Sequence, residues 1–292
     1  MKKYFSILIS ITLLLTVIGC GNATNEGTNQ AGEVTDKPTI TLGNPPYQHV
    51  WFINGIIQNI AEELGYPVEI AEGEIGVIFT AISQGNIDIY PDVWSPSLHS
   101  TYIEKYKDSV ELVGTLYEKA PIGWAVPSYV DIQSIEDLKG RETEFKGRVV
   151  GYESGAGQMM TSEEIIEGYG LDYELVSGSV PTMLAEVKKA TMNQEPVVFL
   201  AWRPHTMFQL FDIKLLDDPK GYFQQDDVRS GVSKDLKEKA PDLYSFLEGF
   251  QISIDDIELA LLKIEEENAD PVQLAKEWVE QNRSSIDQLL QK

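Results

Sequence analysis

Apolar positions along the chain fall into two successive runs of alternating strand and helix patterns. Residues 38–43 read as a first strand. Ile53, Ile56, Ile57, Ile60 and Leu64 recur at helical spacing within residues 51–64, and Gly65 ends that helix. Residues 68–70 give a second strand, and residues 76–84 a helix stopped at Gly85. Residues 87–93 give a third strand. A β-α-β-α-β alternation of this kind predicts a parallel sheet. A strand over residues 115–126 then reaches a crossover at Pro127, and residues 134–138 form a short helix capped by Ser134.

The second run repeats the first in order. Residues 147–152 are a strand, 159–168 a helix, 173–176 a strand, 182–193 a helix and 196–201 a strand. From about Gly221 the chain returns to the first lobe and closes with amphipathic helices near 241–250, 254–268 and 271–281, the last continuing toward Leu290. Pro271 suits a first helical position.

Both runs end alike. Asp92-Val93-Trp94-Ser95-Pro96-Ser97-Leu98-His99 closes one, and Ala201-Trp202-Arg203-Pro204-His205 closes the other. Proline lacks the donor that a strand ladder needs, so each Trp is expected at a strand exit, where α/β folds place ligand sites. Two such exits suggest two lobes with one aromatic site between them.

The ends of the chain add an address. Met1-Lys2-Lys3 and the apolar residues 6–18 form a signal-like segment, and a small residue, Gly19, precedes the chain's only cysteine, Cys20. This resembles the bacterial lipoprotein cleavage box, which implies that Cys20 becomes the lipidated N-terminus of the mature chain. A single cysteine excludes an intrachain disulfide and a cysteine-rich metal site. Residues 20–37 are polar and read as a tether. The formal charge of −23 argues against a nucleic-acid partner.

Catalytic patterns are missing. There is no GxSxG, HExxH, Walker A or full GxGxxG motif, and only three histidines, His49, His99 and His205, are present. A zinc trio of those three has uninformative spacing. Binding chemistry is better represented. Trp94 and Trp202 sit at strand exits, whereas Trp124 and Trp278 read as core. Ring faces attract quaternary ammonium through the aromatic quadrupole. The loop Ser154-Gly155-Ala156-Gly157-Gln158 joins a strand to a helix start, where backbone N–H groups and the helix dipole favour an anion. His99, or alternatively His205, would complete a carboxylate clamp. These features describe a site for a zwitterion.

On these motifs, together with Leu216-Asp217-Asp218-Pro219-Lys220 and Gly151-Tyr152-Glu153, the mature body resembles the glycine betaine/proline betaine substrate-binding proteins of ABC transporters. The resemblance implies a two-lobed α/β fold of the type II periplasmic-binding-protein kind with the ligand cleft between the lobes. It places lobe 1 at 38–127 and 221–292 and lobe 2 at 128–220, after a signal peptide (1–19) and tether (20–37). It implies an aromatic prism from Trp94, Trp202 and, in place of a third Trp, Tyr47, with Trp51 the alternative. Gly157, Gln158 and His99 would take the carboxylate, and Arg203 is expected to point to solvent. The implied role is capture by hinge closure and delivery to a membrane permease and its ATPase, by a monomer lipid-anchored outside the cell, without cofactor, metal or catalysis. Two other readings stay open: the same fold binding choline, carnitine, a dimethylsulfonium solute or an amino acid, and an extracytoplasmic hydrolase.

Overall fold

A computed structural model describes residues 37–291. The signal peptide, Cys20 and nearly all of the tether lie outside the described residues.

The first run forms β1 (Ile40–Asn44), α1 (Gln48–Glu63), β2 (Val68–Glu72), α2 (Ile75–Ser83) and β3 (Ile89–Ser95), followed by α3 (Ser100–Tyr106) and β4 (Val110–Ala120). The second forms β5 (Ile122–Pro127), a one-turn 3-10 helix (Ile135–Leu138), β6 (Arg148–Val150), α4 (Gly157–Tyr169), β7 (Glu174–Val176), α5 (Val180–Met192), β8 (Val198–Trp202), α6 (Met207–Leu210) and β9 (Ile213–Leu215). The chain ends in β10 (Asp226–Ser233) and helices α7 (Leu236–Lys239), α8 (Pro241–Gly249), α9 (Ile254–Glu267), α10 (Pro271–Gln281) and α11 (Arg283–Leu290).

The strands build two five-stranded sheets ordered β2-β1-β3-β10-β4 and β7-β6-β8-β5-β9. In the first, β1 runs parallel to β2 and β3, and β10 lies antiparallel between β3 and β4. The second has the same plan, with β6 parallel to β7 and β8, and β5 antiparallel between β8 and β9. The chain therefore crosses between sheets twice, from β4 to β5 and from β9 to β10. This is the two-lobed α/β architecture expected from the alternation.

One expected strand is two. The apolar run 115–126 breaks at Pro121, and its halves lie in different sheets, so the crossing falls at Pro121 and not at Pro127. Proline at 121 offers no ladder donor, which frees the chain to turn there. Pro91 sits inside β3, and the facing strand β10 has a register irregularity between Arg229 and Gly231. A bulge of this kind accommodates a missing donor.

The C-terminal helices pack on the first lobe. α1 lies against α9 and α10, and Gly55 of α1 leaves no room for a side chain against Ala275 and Val272 of α10. The expected Ser134 cap is present: its hydroxyl accepts from the Glu136 N–H, while Asp137 caps Ser134 in return.

Candidate functional site

Four strand exits converge. The turn after β1 delivers Tyr47, which caps α1, and the exit of β3 delivers Trp94 and then Leu98 and His99. The loop after β6 supplies Tyr152 and Gly157, and β8 ends on Trp202. Tyr47, Trp94, His99, Tyr152, Gly157 and Trp202 all line one small cavity of about 30 Å³, together with His49 and Asp92. Tyr47 and Trp94 come with the first sheet, and Tyr152 and Trp202 with the second, so neither lobe holds the site alone. The peptide bonds Ser95–Pro96 and Arg203–Pro204, which follow the two tryptophans, are both cis.

The rings meet across the cleft. Tyr47 approaches Trp202 at 6.1 Å between centroids and 67°, and Tyr152 at 6.3 Å and 89°. Tyr152 lies 5.1 Å from Trp202 at 48°. The Tyr47 hydroxyl donates to the Glu153 carboxylate of the other lobe. Burial pushes the Tyr47 and Tyr152 phenols well above their ordinary range, so both stay protonated donors. Burial also raises the Glu153 carboxyl, against the lowering effect of the Tyr47 hydrogen bond.

Trp94 is held from two sides. Its indole Nε1 donates to Asp92 Oδ1 at 3.0 Å, and its backbone N–H donates to His99 Nδ1 at 3.1 Å. Because Nδ1 accepts, the proton of neutral His99 sits on Nε2. Burial lowers the His99 pKa to about 4, which keeps the ring neutral at neutral pH.

Gly157 and Gln158 open α4. Neither backbone N–H donates to another described residue, as expected for the first turn of a helix. The carboxylate role expected of both is a backbone one, and beyond it their surroundings differ. Gly157 lines the cavity, but Gln158 is fully buried behind it, with Nε2 donating to the carbonyls of Gly123 and Ala201 and Oε1 accepting from Tyr152. Gln158 thus ties β5, β8 and Tyr152 together.

Other candidates separate. Trp51 faces a larger adjoining cavity of about 600 Å³, with its Nε1 on the Pro45 carbonyl. That cavity shares Tyr47, His49 and Trp202 with the smaller one and also reaches His205. His205 Nδ1 accepts from the Met207 N–H, and burial holds its pKa down to about 3. Arg203 does not simply point to solvent. Its guanidinium pairs with Glu258 of α9, with Nε 2.8 Å from Oε1. Trp124 is core, fully buried with Nε1 on Ser162. Among the described residues no group of three His, Cys, Asp or Glu side chains is placed to hold a metal, so the three histidines form no zinc trio.

Asp92 and Tyr152 are not among the site residues expected from the sequence, and His49 enters there only as a metal candidate. Asp92 carried a signal, since it lies two residues before Trp94 and therefore on the same face of β3.

Two α/β lobes joined by two crossing segments, with rings from both meeting in the cleft, define the class of bilobal solute-binding proteins. Residues 38–281 match the family described as the substrate binding domain of ABC-type glycine betaine transport system, and the chain belongs to that family. The glycine betaine/carnitine transport binding protein GbuC of Listeria monocytogenes is 33% identical over 142 residues, 47% of each chain, so the match spans about half of that relative. Among solved structures, the glycine betaine/L-proline-binding protein ProX of Borrelia burgdorferi superposes with a TM-score of 0.81 at 30% identity. That match covers 85% of this chain and 95% of ProX. Lactococcal OpuAC, closed and complexed with glycine betaine, superposes with a TM-score of 0.81 at 28% identity, covering 87% of this chain and all of that one.

Proposed function

We propose that this chain is the extracytoplasmic solute receptor of an ABC importer, and that it closes its lobes around glycine betaine or a closely related quaternary ammonium zwitterion. The observation that carries this reading is the meeting of Tyr47, Trp94, Tyr152 and Trp202 at one cavity between the lobes. A trimethylammonium group is weakly hydrated and has no N–H, so ring faces suit it, at roughly 0.5–2 kcal/mol per ring once water is excluded. Tyr47 takes the third wall of the prism, and Tyr152 adds a fourth.

The carboxylate end of the ligand falls to the α4 N-terminus, where the N–H groups of Gly157 and Gln158 donate to no other described residue. His99 Nε2–H adds a donor. A second reading gives this part to His205, whose Nδ1 accepts from Met207, leaving the ring proton on Nε2, and which borders the larger cavity. His99→Ala and His205→Ala separate the two, since the ligand contact loses affinity and the other retains it.

Ligand binding stabilises the closed state by its differential affinity for it. The closed form then docks on a permease driven by an ATPase, with the receptor held at the membrane through a lipid on Cys20. No helix among the described residues is long and apolar enough to cross a membrane. Osmoprotection is the physiological setting this reading gives.

Isothermal titration with glycine betaine tests the proposal. The wild type binds, and Trp94→Ala and Trp202→Ala each weaken binding about tenfold or more. Unchanged affinity in both variants overturns the cage. A thermal-shift panel of glycine betaine, choline, carnitine, a dimethylsulfonium solute and arginine tests the ligand class. A shift with choline alone transfers the function to a carboxylate-free cation, and turnover of a choline ester revives a hydrolase.

A further inference from the structure

Asp92 lies behind the cage with its carboxylate 3% exposed as a residue, yet it reaches the cavity wall beside Trp94. Four donors converge on it. Oδ1 accepts from Trp94 Nε1 at 3.0 Å and from the Tyr117 hydroxyl at 3.5 Å, and Oδ2 accepts from Tyr90 at 3.3 Å and meets His49 Nε2 at 3.3 Å. Such a ring of donors fits the acceptor-only form of a carboxylate. Among the described residues no lysine or arginine pairs with it; its one ion-pair partner is His49, which counts as a cation only when protonated.

A buried carboxylate whose one ion-pair partner is an imidazole gains from any further positive charge within reach. The cavity beside it is where the proposed ligand puts its cation. We infer that Asp92 is the counter-charge of the cage and that it selects permanently methylated cations over ammonium ions that carry N–H. Charge acts through space, so the methylated cation gains from Asp92 without touching it. Hydrogen bonding does not. The carboxylate's acceptor positions are taken by Trp94, Tyr117, Tyr90 and His49, so an entering N–H would give up water and find no acceptor there. The inference rests on the betaine reading above.

The test compares three probes by calorimetry: glycine betaine, its uncharged-carbon isostere tert-butylacetate, and N,N-dimethylglycine, which carries one N–H. Asp92→Asn keeps shape and removes charge. It is expected to weaken betaine about tenfold or more while changing tert-butylacetate by less than about threefold. Equal loss for both probes, or no loss for betaine, means that Asp92 only props Trp94 and overturns the inference. A second variant keeps the charge and frees an acceptor on the cavity side. His49→Phe leaves a ring stacked on Tyr47, which His49 meets at 5.8 Å and 10°, and exposes a lone pair of Oδ2. It is expected to move the dimethylglycine-to-betaine preference toward dimethylglycine by about threefold or more. An unchanged preference overturns the selectivity argument even if Asp92→Asn fails to fold. A wild type that binds no betaine instead removes the reading on which the inference rests.

Discussion

Gly157 at the start of α4 lies so close to the backbone carbonyl of Leu98 that a side chain at 157 would collide with it. Leu98 follows β3 of the first sheet, whereas Gly157 opens a helix that follows β6 of the second. Tyr102, one turn into α3, strengthens the same seam by donating to the Gly155 carbonyl at 2.7 Å. This close approach depends on a missing Cβ at 157.

Gly157→Ala should therefore hold the lobes apart without harming either one. The collision is with backbone rather than with a flexible tip, and rigid separation of the lobes is the relief open to it. The ligand-free melting temperature is expected to move by about 2 °C or less. Betaine affinity should fall about tenfold or more, because the closed state becomes less populated. Small-angle scattering with saturating ligand checks the cause: the variant stays expanded where the wild type contracts. Contraction equal to wild type counts against the seam as the closure point.

Tyr47→Phe tests the other bridge across the cleft. It keeps the ring that faces Trp202 and removes the hydroxyl that donates to Glu153. Glu153 then lies half-buried in the closed form without that donor. A hydrogen bond to a charged group is worth about 1.5–3 kcal/mol, so the dissociation constant for betaine should rise about tenfold to a hundredfold. Tyr47→Ala should cost more, since it also removes a wall. Equal effects from Phe and Ala would assign the whole contribution to the hydroxyl and none to the ring.

These bridges show which parts of the molecule the sequence discloses. The strand–helix alternation and the two Trp-x-Pro endings are local, so they read directly; Tyr47, Trp94, His99, Gly157 and Trp202 border one cavity. The break at Pro121 was hidden because apolar residues continue on both sides of it. β9 and α6 are three and four residues long, too short to show a period. Gln158 shared a loop with Gly157, but its side chain answers to Gly123, Ala201 and Tyr152. Asp92 gains its meaning from Tyr117 on β4 and His49 on α1, and Arg203 from Glu258 on α9. Partners so distant along the chain leave no trace in local spacing.

Arg203 and Glu258 give a test of that last pairing. Arg203 lies beside the crossing, with its N–H on the Pro121 carbonyl at 2.8 Å, and its guanidinium meets Glu258, which is 4% exposed. Arg203→Met strands that carboxylate with, among the described residues, only Gln209 Nε2 at 3.2 Å. The guanidinium is more than a third exposed, which screens the pair, so the expected loss is about 1–2 kcal/mol. Urea unfolding should show that loss, and adding Glu258→Gln should recover most of it by removing the stranded charge. A double variant no more stable than Arg203→Met would mean that packing, not charge, is lost.

The histidines set the response to acid. Burial holds His99 down to about 4 and His205 to about 3, the latter helped by nearby His49. Both lie below the ordinary histidine value of roughly 6.5, so as pH falls through that value the unfolded chain takes up protons that the folded chain refuses. Their stabilisation is therefore complete above about pH 6.5 and is lost progressively toward about 4 for His99 and about 3 for His205. For His99 alone the shift corresponds to about 3 kcal/mol. Glu153 works in the opposite sense at the acid end, because burial raises its carboxyl and the folded state gains as that group is protonated. Denaturant unfolding at several pH values between about 7.5 and 5 should show stability falling with pH, with a shallower slope in His205→Asn. Betaine affinity should stay nearly level over the same range, because the imidazole N–H offered to the carboxylate belongs to the neutral ring. A steep rise in affinity below about pH 6.5 would show instead that an imidazolium holds the carboxylate.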